Sequence, residues 1–229
     1  VAIERTVLRL LGVEGAVRQG SGNLVPEVNV IVEDLHKAGV LGKGVLHWFI
    51  NGMIQKKMTP SELAKAVAGR KIDLLKLARS SQTEVSVQAR ELCDQARRGL
   101  LERRQVRDHL RSKVGDQFDP TGRGGPVIYV IVATGNIYED VIQGKAAAEA
   151  GADAIAVIRS TAQSLLDYVP HGATTEGFGG TYATQENFRV MRRALDEHSL
   201  KLGRYIRLTN YCSGLCMPEI AALGAMERL

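Results

Sequence analysis

The sequence predicts an α/β fold in its second half, with a helical region before it. Three observations carry that reading. Three apolar, strand-like segments follow residue 120: 127–133 (VIYVIVA), 154–158 (AIAVI) and 205–208 (YIRL). Between them, residues 137–150 and 185–202 carry apolar side chains at helical spacing, and each stretch stops at a glycine, Gly151 and Gly203. Before residue 115, helical spacing dominates throughout. Strands alternating with helices imply a parallel sheet with right-handed crossovers.

In order, residues 1–11 read as a helix stopped by Gly12, and the glycine-rich stretch 15–25 as a loop. Residues 26–38 and 43–57 give two further helices. Thr59-Pro60-Ser61-Glu62 opens another: Thr59 caps, Pro60 suits the first turn, and Glu62 sits three residues after the cap. A short helical turn at 73–77 precedes a long charged helix over 83–111, with a break expected at Gly99. Asp119-Pro120-Thr121-Gly122 and Gly124-Gly125 are turn signals. They set the expected division into a helical extension, 1–118, and a βα region, 119–229. The run 127–133 is continuously apolar and mostly β-branched, as for a strand buried on both faces. A last helix is expected from Pro218. Two architectures suit three βα units, a doubly wound sheet and a (β/α)8 barrel. Three parallel strands leave bare edges. We therefore read the region as the first part of a barrel that later chain or a partner completes.

The chain has 229 residues and a net charge of +5. The basic excess sits mainly in Arg97, Arg98, Arg103, Arg104, Arg107 and Arg111, interleaved with acids on the long helix. Aromatic residues make up only 5%, and none alternates with a basic stretch, so nucleic acid is not an expected partner. No apolar run reaches the roughly 18 residues of a membrane span, and no signal segment opens the chain. It begins on Val1, so its true start is expected upstream. Cys93, Cys212 and Cys216 make no disulfide framework, and a reducing, cytoplasmic setting is expected.

In either architecture, ligands bind at the carboxyl ends of the strands. The first end reads Thr134-Gly135-Asn136. The second reads Arg159-Ser160-Thr161-Ala162-Gln163-Ser164, and the third Asn210-Tyr211-Cys212-Ser213-Gly214. The second is the most informative. Arg159 is a fixed cation that pairs with planar oxyanions. The hydroxyls, carboxamide and loop amides of Ser160, Thr161, Ala162, Gln163 and Ser164 supply further donors. Spacing alone does not separate phosphate from carboxylate, or an anion cradle from a capped turn. Ser213 beside Gly214 offers a second donor where a backbone comes close. The long crossover 165–184 adds His171, Glu176 and Tyr182 as candidates for substrate contact or proton handling. Its glycines do not open a helix after a strand, so they carry little weight for a dinucleotide.

Segments 129–140 (YVIVATGNIYED), 151–189 (GADAIAVIRSTAQSLLDYVPHGATTEGFGGTYATQENFR) and 205–229 (YIRLTNYCSGLCMPEIAALGAMERL) resemble the large subunits of the cobalamin- and pyridoxal-phosphate-dependent aminomutases. The lysine 5,6-aminomutase α subunit is the main match and ornithine 4,5-aminomutase a near relative. Before residue 127 the likeness rests on VAIERTVLRLLGVEG and TPSELAKAVAGRKIDLLKL. The resemblance implies a TIM barrel behind a helical extension. It implies radical migration of a terminal amino group of lysine or β-lysine, with pyridoxal 5'-phosphate and adenosylcobalamin as cofactors. It also implies a smaller β subunit carrying the cobalt cofactor, in a heterotetramer. The run Arg159, Ser160, Thr161, Ala162, Gln163 and Ser164, with Ser213, would hold the pyridoxal phosphate, Arg159 and Ser164 being its main phosphate contacts. The strand ends carry no lysine, and Lys145 and Lys201 fall in predicted helices. That fits a divided site whose Schiff-base lysine comes from the partner. Two other readings stand beside this one: a cobalamin-independent phosphate-binding barrel lyase, with its own lysine on a later strand, and a barrel piece serving only in assembly.

Overall fold

The computed structural model describes residues 1–20, 22–115, 126–157 and 160–229. They form two compact units, Val1–Gly99 and Leu100–Leu229.

The first unit is mostly helical, with α1 (Ala2–Leu10), α2 (Glu27–Lys37), α3 (Val45–Lys56) and α4 (Pro60–Ala68). Leu8, Ile31, Phe49, Ile50 and Leu63 are fully buried at its centre, with Val85 and Leu92 from the start of α5 (Gln82–Val114). The expected cap at Thr59 is present. Its hydroxyl accepts from the Glu62 amide, and the Glu62 carboxylate accepts from the Thr59 amide at 2.9 Å. Two expectations change. The glycine-rich stretch is a hairpin, β1 (Ala16–Gln19) against β2 (Asn23–Pro26), with Val17 opposite Val25. Gly20 and Gly22 both take positive φ, +49° and +93°, so the glycines that read as a loop build the tight turn between short strands. Nor does Gly99 break α5, which runs on to Val114. One interior glycine costs a helix only about 1 kcal/mol.

Glu27 is the buried acid of this unit, and burial pushes its carboxyl above the usual range, against a smaller opposing effect of Lys65. A raised carboxyl pKa means that the folded state holds its proton more tightly than the unfolded chain. The associated stability is complete below the unfolded value, near 4.5, and is lost as pH rises through the folded one. Glu27→Gln is therefore expected to raise the melting temperature at neutral pH and to flatten its fall between acid and neutral. A variant curve parallel to wild type over that range would contradict this.

The second unit holds a parallel sheet in the order β3-β4-β5: Tyr129–Val132, Ala154–Val157 and Arg207–Asn210. Val130 lies level with Ile155, and Ile155 with Leu208. Helices α6 (Ile137–Glu149) and α7 (Gln185–Leu202) form the crossovers, and α8 (Met217–Met226) follows β5. Val132, Ile137, Ile155, Val157, Met191, Leu195 and Leu208 make the core between sheet and helices. The helices cover one face only. Tyr129 and Ile131, on the other face of β3, are each 45% exposed. The first strand is thus not buried on both faces as its β-branched run suggested; of the three strands, β4 alone is buried throughout.

The third strand starts two residues later than expected. Tyr205 is tied outside the ladder by its amide to the Gly115 carbonyl (3.0 Å), and pairing with β4 begins at Arg207. The expected boundary stretch around 119–125 lies outside the described residues, and the two units divide at Gly99, inside α5. Among the described residues the sheet has three strands and closes no barrel. No helix there is long and apolar enough to cross a membrane.

Candidate functional site

The carboxyl ends of β3, β4 and β5 lie side by side, and the long crossover 165–184 is bonded to the first two. At the first end, Asn136 caps α6 by accepting the Tyr138 amide at 3.0 Å. Asp140, one turn into α6, is fully buried. Its carboxylate accepts from the Thr134 amide (2.8 Å), the Thr134 hydroxyl (2.7 Å) and the Thr181 hydroxyl. Thr181 also accepts the Gly135 amide at 3.0 Å. Gly135 has φ +93°, and a side chain added there would meet the Gly177 carbonyl oxygen at 2.7 Å. Strand end and crossover are therefore in backbone contact at a point where only glycine fits.

At the second end, Ile158 and Arg159 lie outside the described residues. Ser160, Thr161, Ala162, Gln163 and Ser164 lie in and beside a 3-10 turn, Thr161–Leu165. The Ser160 hydroxyl donates to the Phe178 carbonyl at 2.7 Å, and the Thr161 hydroxyl to the Gly179 carbonyl at 3.2 Å. Gln163 is fully buried, and its carboxamide holds Ala183 from both sides: Nε2 donates to the carbonyl (3.2 Å) and Oε1 accepts the amide (2.7 Å). These three side chains bind the turn to the crossover. Ala162 is half-buried and Ser164 exposed.

The Ser164 carbonyl lies 3.5 Å from where a Gly214 side chain would start, so the second and third ends meet there. Gly214 has φ +88°, a conformation that disfavours any other residue, and Ser213 beside it is exposed. At the end of β5, both polar atoms of the Asn210 carboxamide are shut off from solvent without a hydrogen-bond partner. Each such buried orphan costs about 1–3 kcal/mol, which a bound polar group offsets.

Several of these groups have no sequence signal. The Tyr129 phenol is bonded to that of Tyr211, whose pKa it pushes up, and lies 3.3 Å from the Thr209 hydroxyl. Asn187 is buried in α7 and gathers the crossover, bonding the amide (3.0 Å) and hydroxyl (2.7 Å) of Thr174 and the carbonyl of Tyr182 (2.6 Å). Tyr182 is half-buried and its carbonyl accepts from Asn187, whereas His171 and Glu176 are exposed on the crossover. Chemically, the second and third ends offer neighbouring hydroxyls, turn amides and an orphan carboxamide, a set suited to an oxyanion. Lys145 and Lys201 lie on α6 and α7 as expected, away from the strand ends in sequence.

The family described as the D-lysine 5,6-aminomutase TIM-barrel domain of the α subunit matches residues 1–229. The chain is 51% identical to the lysine 5,6-aminomutase α subunit of Fusobacterium nucleatum over 230 residues, covering 100% of this chain and 42% of that protein. It is 49% identical over 229 residues to the subunit of the same name from Acetoanaerobium sticklandii, with the same coverage. The D-ornithine 4,5-aminomutase β subunit of Acetoanaerobium sticklandii is 39% identical over 102 residues, 44% of this chain and 14% of that protein. The chain thus spans well under half the length of the two α subunits it matches.

Proposed function

This chain belongs to the family of the D-lysine 5,6-aminomutase α-subunit TIM-barrel domain, and we propose that it forms the opening βα units of a barrel whose mouth holds pyridoxal 5'-phosphate. The observation that carries the proposal is the meeting of the Ser164 turn with Gly214, the residue after Ser213. The barrel reading is supported by the sheet itself. One face is covered by α6 and α7, the other presents Tyr129 and Ile131, and among the described residues β3 and β5 are edges.

In this reading the phosphate rests on Ser164, Ser213 and the Ala162 amide, since the Thr161 and Gln163 amides already donate to the Phe178 and Ser160 carbonyls. Arg159, which precedes Ser160 in the sequence, supplies the compensating charge. Ser160, Thr161 and Gln163 hold the turn against the crossover through the bonds described above, so the donors are fixed before the ligand arrives. Ala162 contributes its backbone. The residues present fit the cofactor, because the turn that carries Ser164 meets the one that carries Ser213, and the turn sequences 160–164 and 210–214 hold no carboxylate. When bound, pyridoxal phosphate supplies an electron-delocalising ring, and adenosylcobalamin a radical source, for 1,2-amino migration on lysine or β-lysine. The proposal includes a β subunit that brings both the Schiff-base lysine and the cobalamin to the mouth, which agrees with the lack of a lysine at the three strand ends present in this chain. Lysine is favoured over ornithine as substrate because both lysine relatives align over the whole chain and the ornithine relative over 44% of it.

The test is a titration of the full-length chain with its partner, followed by pyridoxal-phosphate absorbance. Arg159→Ala and Ser213→Ala are each expected to weaken cofactor binding about tenfold or more, the size of one charge-assisted or buried hydrogen bond. Unchanged affinity in both variants would sink the phosphate assignment.

A further inference from the structure

We infer that Asp140 is a positioning residue for the proposed cofactor cradle, acting through Thr181 and the crossover, with no contact of its own to the ligand. The inference rests on the pyridoxal-phosphate reading and assigns a task within it.

A carboxylate in the first turn of a helix usually serves that helix, accepting its free amides or complementing its dipole. Asp140 does something else. The cap of α6 is already Asn136. Asp140 turns back to the end of β3, where it accepts both the amide and the hydroxyl of Thr134. Its second oxygen accepts from Thr181, 41 residues further along the chain. One fully buried anion thus ties together a strand end, a helix start and the crossover. Bonds from hydroxyls and amides to an ionised acceptor are among the stronger ones, and the dry surroundings strengthen them further.

What Thr181 holds gives the clasp its functional sense. Its hydroxyl donates to Asp140 and accepts the Gly135 amide, so both ends of its bonding are fixed. Two and three residues before it, the carbonyls of Gly179 and Phe178 receive the hydroxyls of Thr161 and Ser160. Two residues after it, Ala183 is gripped by Gln163. The turn that carries Ser164 therefore hangs from the segment 178–183, and Asp140 anchors that segment at its middle. Loosening the anchor moves the donors without removing any of them. Misplacement of about 1 Å in a positioned group is enough for large functional losses.

A purely structural acid would lower the melting temperature and leave the cofactor affinity of the folded protein unchanged. The test therefore reads both, in the full-length chain with its partner, well below the melting temperature of each variant. Asp140→Asn and Thr181→Val are each expected to weaken pyridoxal-phosphate binding about tenfold, and Thr181→Ser, which keeps the hydroxyl, to stay within about twofold of wild type. The Asp140→Asn/Thr181→Val double variant is expected to lose little more than either single one, since both cut the same clasp. If Asp140→Asn does not fold, the Thr181 pair decides. Wild-type cofactor affinity in Thr181→Val would overturn the inference. Arg159→Ala separates the two levels: if it weakens binding while Thr181→Val does not, positioning by Asp140 fails and the phosphate site stands. If Arg159→Ala and Ser213→Ala also leave binding unchanged, the phosphate reading itself fails.

Discussion

Gly177→Ala is expected to destabilise the second unit by about 3 kcal/mol or more and to release the crossover from the strand ends. A methyl group at this position would overlap the Gly180 carbonyl oxygen and fall 2.8 Å from the Gly135 Cα. Both obstacles are backbone, so no side-chain rotation relieves them. Gly135 has no freedom to retreat, because its amide is bonded to Thr181 and its φ is +93°. The strain falls on the segment that receives Ser160, Thr161 and Gln163. The variant should therefore melt earlier and be cut by protease within 165–184 under conditions where the wild type resists. A melting temperature within about one degree of wild type, with unchanged cleavage, would show that the close approach of Gly135 and Gly177 is not needed.

The second large effect is expected at Asp196. Arg192 is 1% exposed, the largest of the fully buried side chains. Its Nε donates to Asp196 at 2.7 Å and its Nη2 to the Ile206 carbonyl at 3.0 Å, while the guanidinium lies 5.0 Å from the centre of the Tyr205 ring. Asp196 also accepts from Arg228 at 2.7 Å, but Arg228 is 24% exposed and water can replace that partner. Arg192 has no such recourse. Asp196→Ala leaves a buried cation without its counter-ion, and breaking a buried pair from one side costs about 3–5 kcal/mol. Adding Arg192→Met should restore much of the loss, since an apolar side chain of similar length removes the stranded charge. Urea unfolding of the single and double variants measures both. A single variant within about 0.5 kcal/mol of wild type would contradict the account.

Much of this frame was legible in the amino-acid order. Helix α7 falls on its predicted residues 185–202, because its apolar spacing and the stop at Gly203 both act through local geometry. The Thr59 cap was legible for the same reason. Parallel strands followed from the alternation of strand and helix, and that alternation is what makes their carboxyl ends the candidate site. What could not be read depends on partners distant in the chain. Nothing near Asp140 or Asn187 announces that one binds Thr181 and the other Thr174. Ser160, Thr161 and Gln163 offer the same donors whether they face an anion or a carbonyl, and only the folded crossover shows them on Phe178, Gly179 and Ala183. Glycines carry a similar ambiguity. Gly20 and Gly22 turn a hairpin, whereas Gly99 sits unremarked inside a helix. The open face of β3 was hidden too, since Tyr129 and Ile131 belong to a β-branched run that reads as buried.

The most direct test of the central claim is a structure of the full-length chain with its partner and pyridoxal 5'-phosphate bound. The account predicts the phosphate at the meeting of the β4 and β5 ends, with Ser164 and Ser213 hydroxyls at about 2.5–3.0 Å from its oxygens. Phosphate density elsewhere, with both serines out of contact, would contradict it.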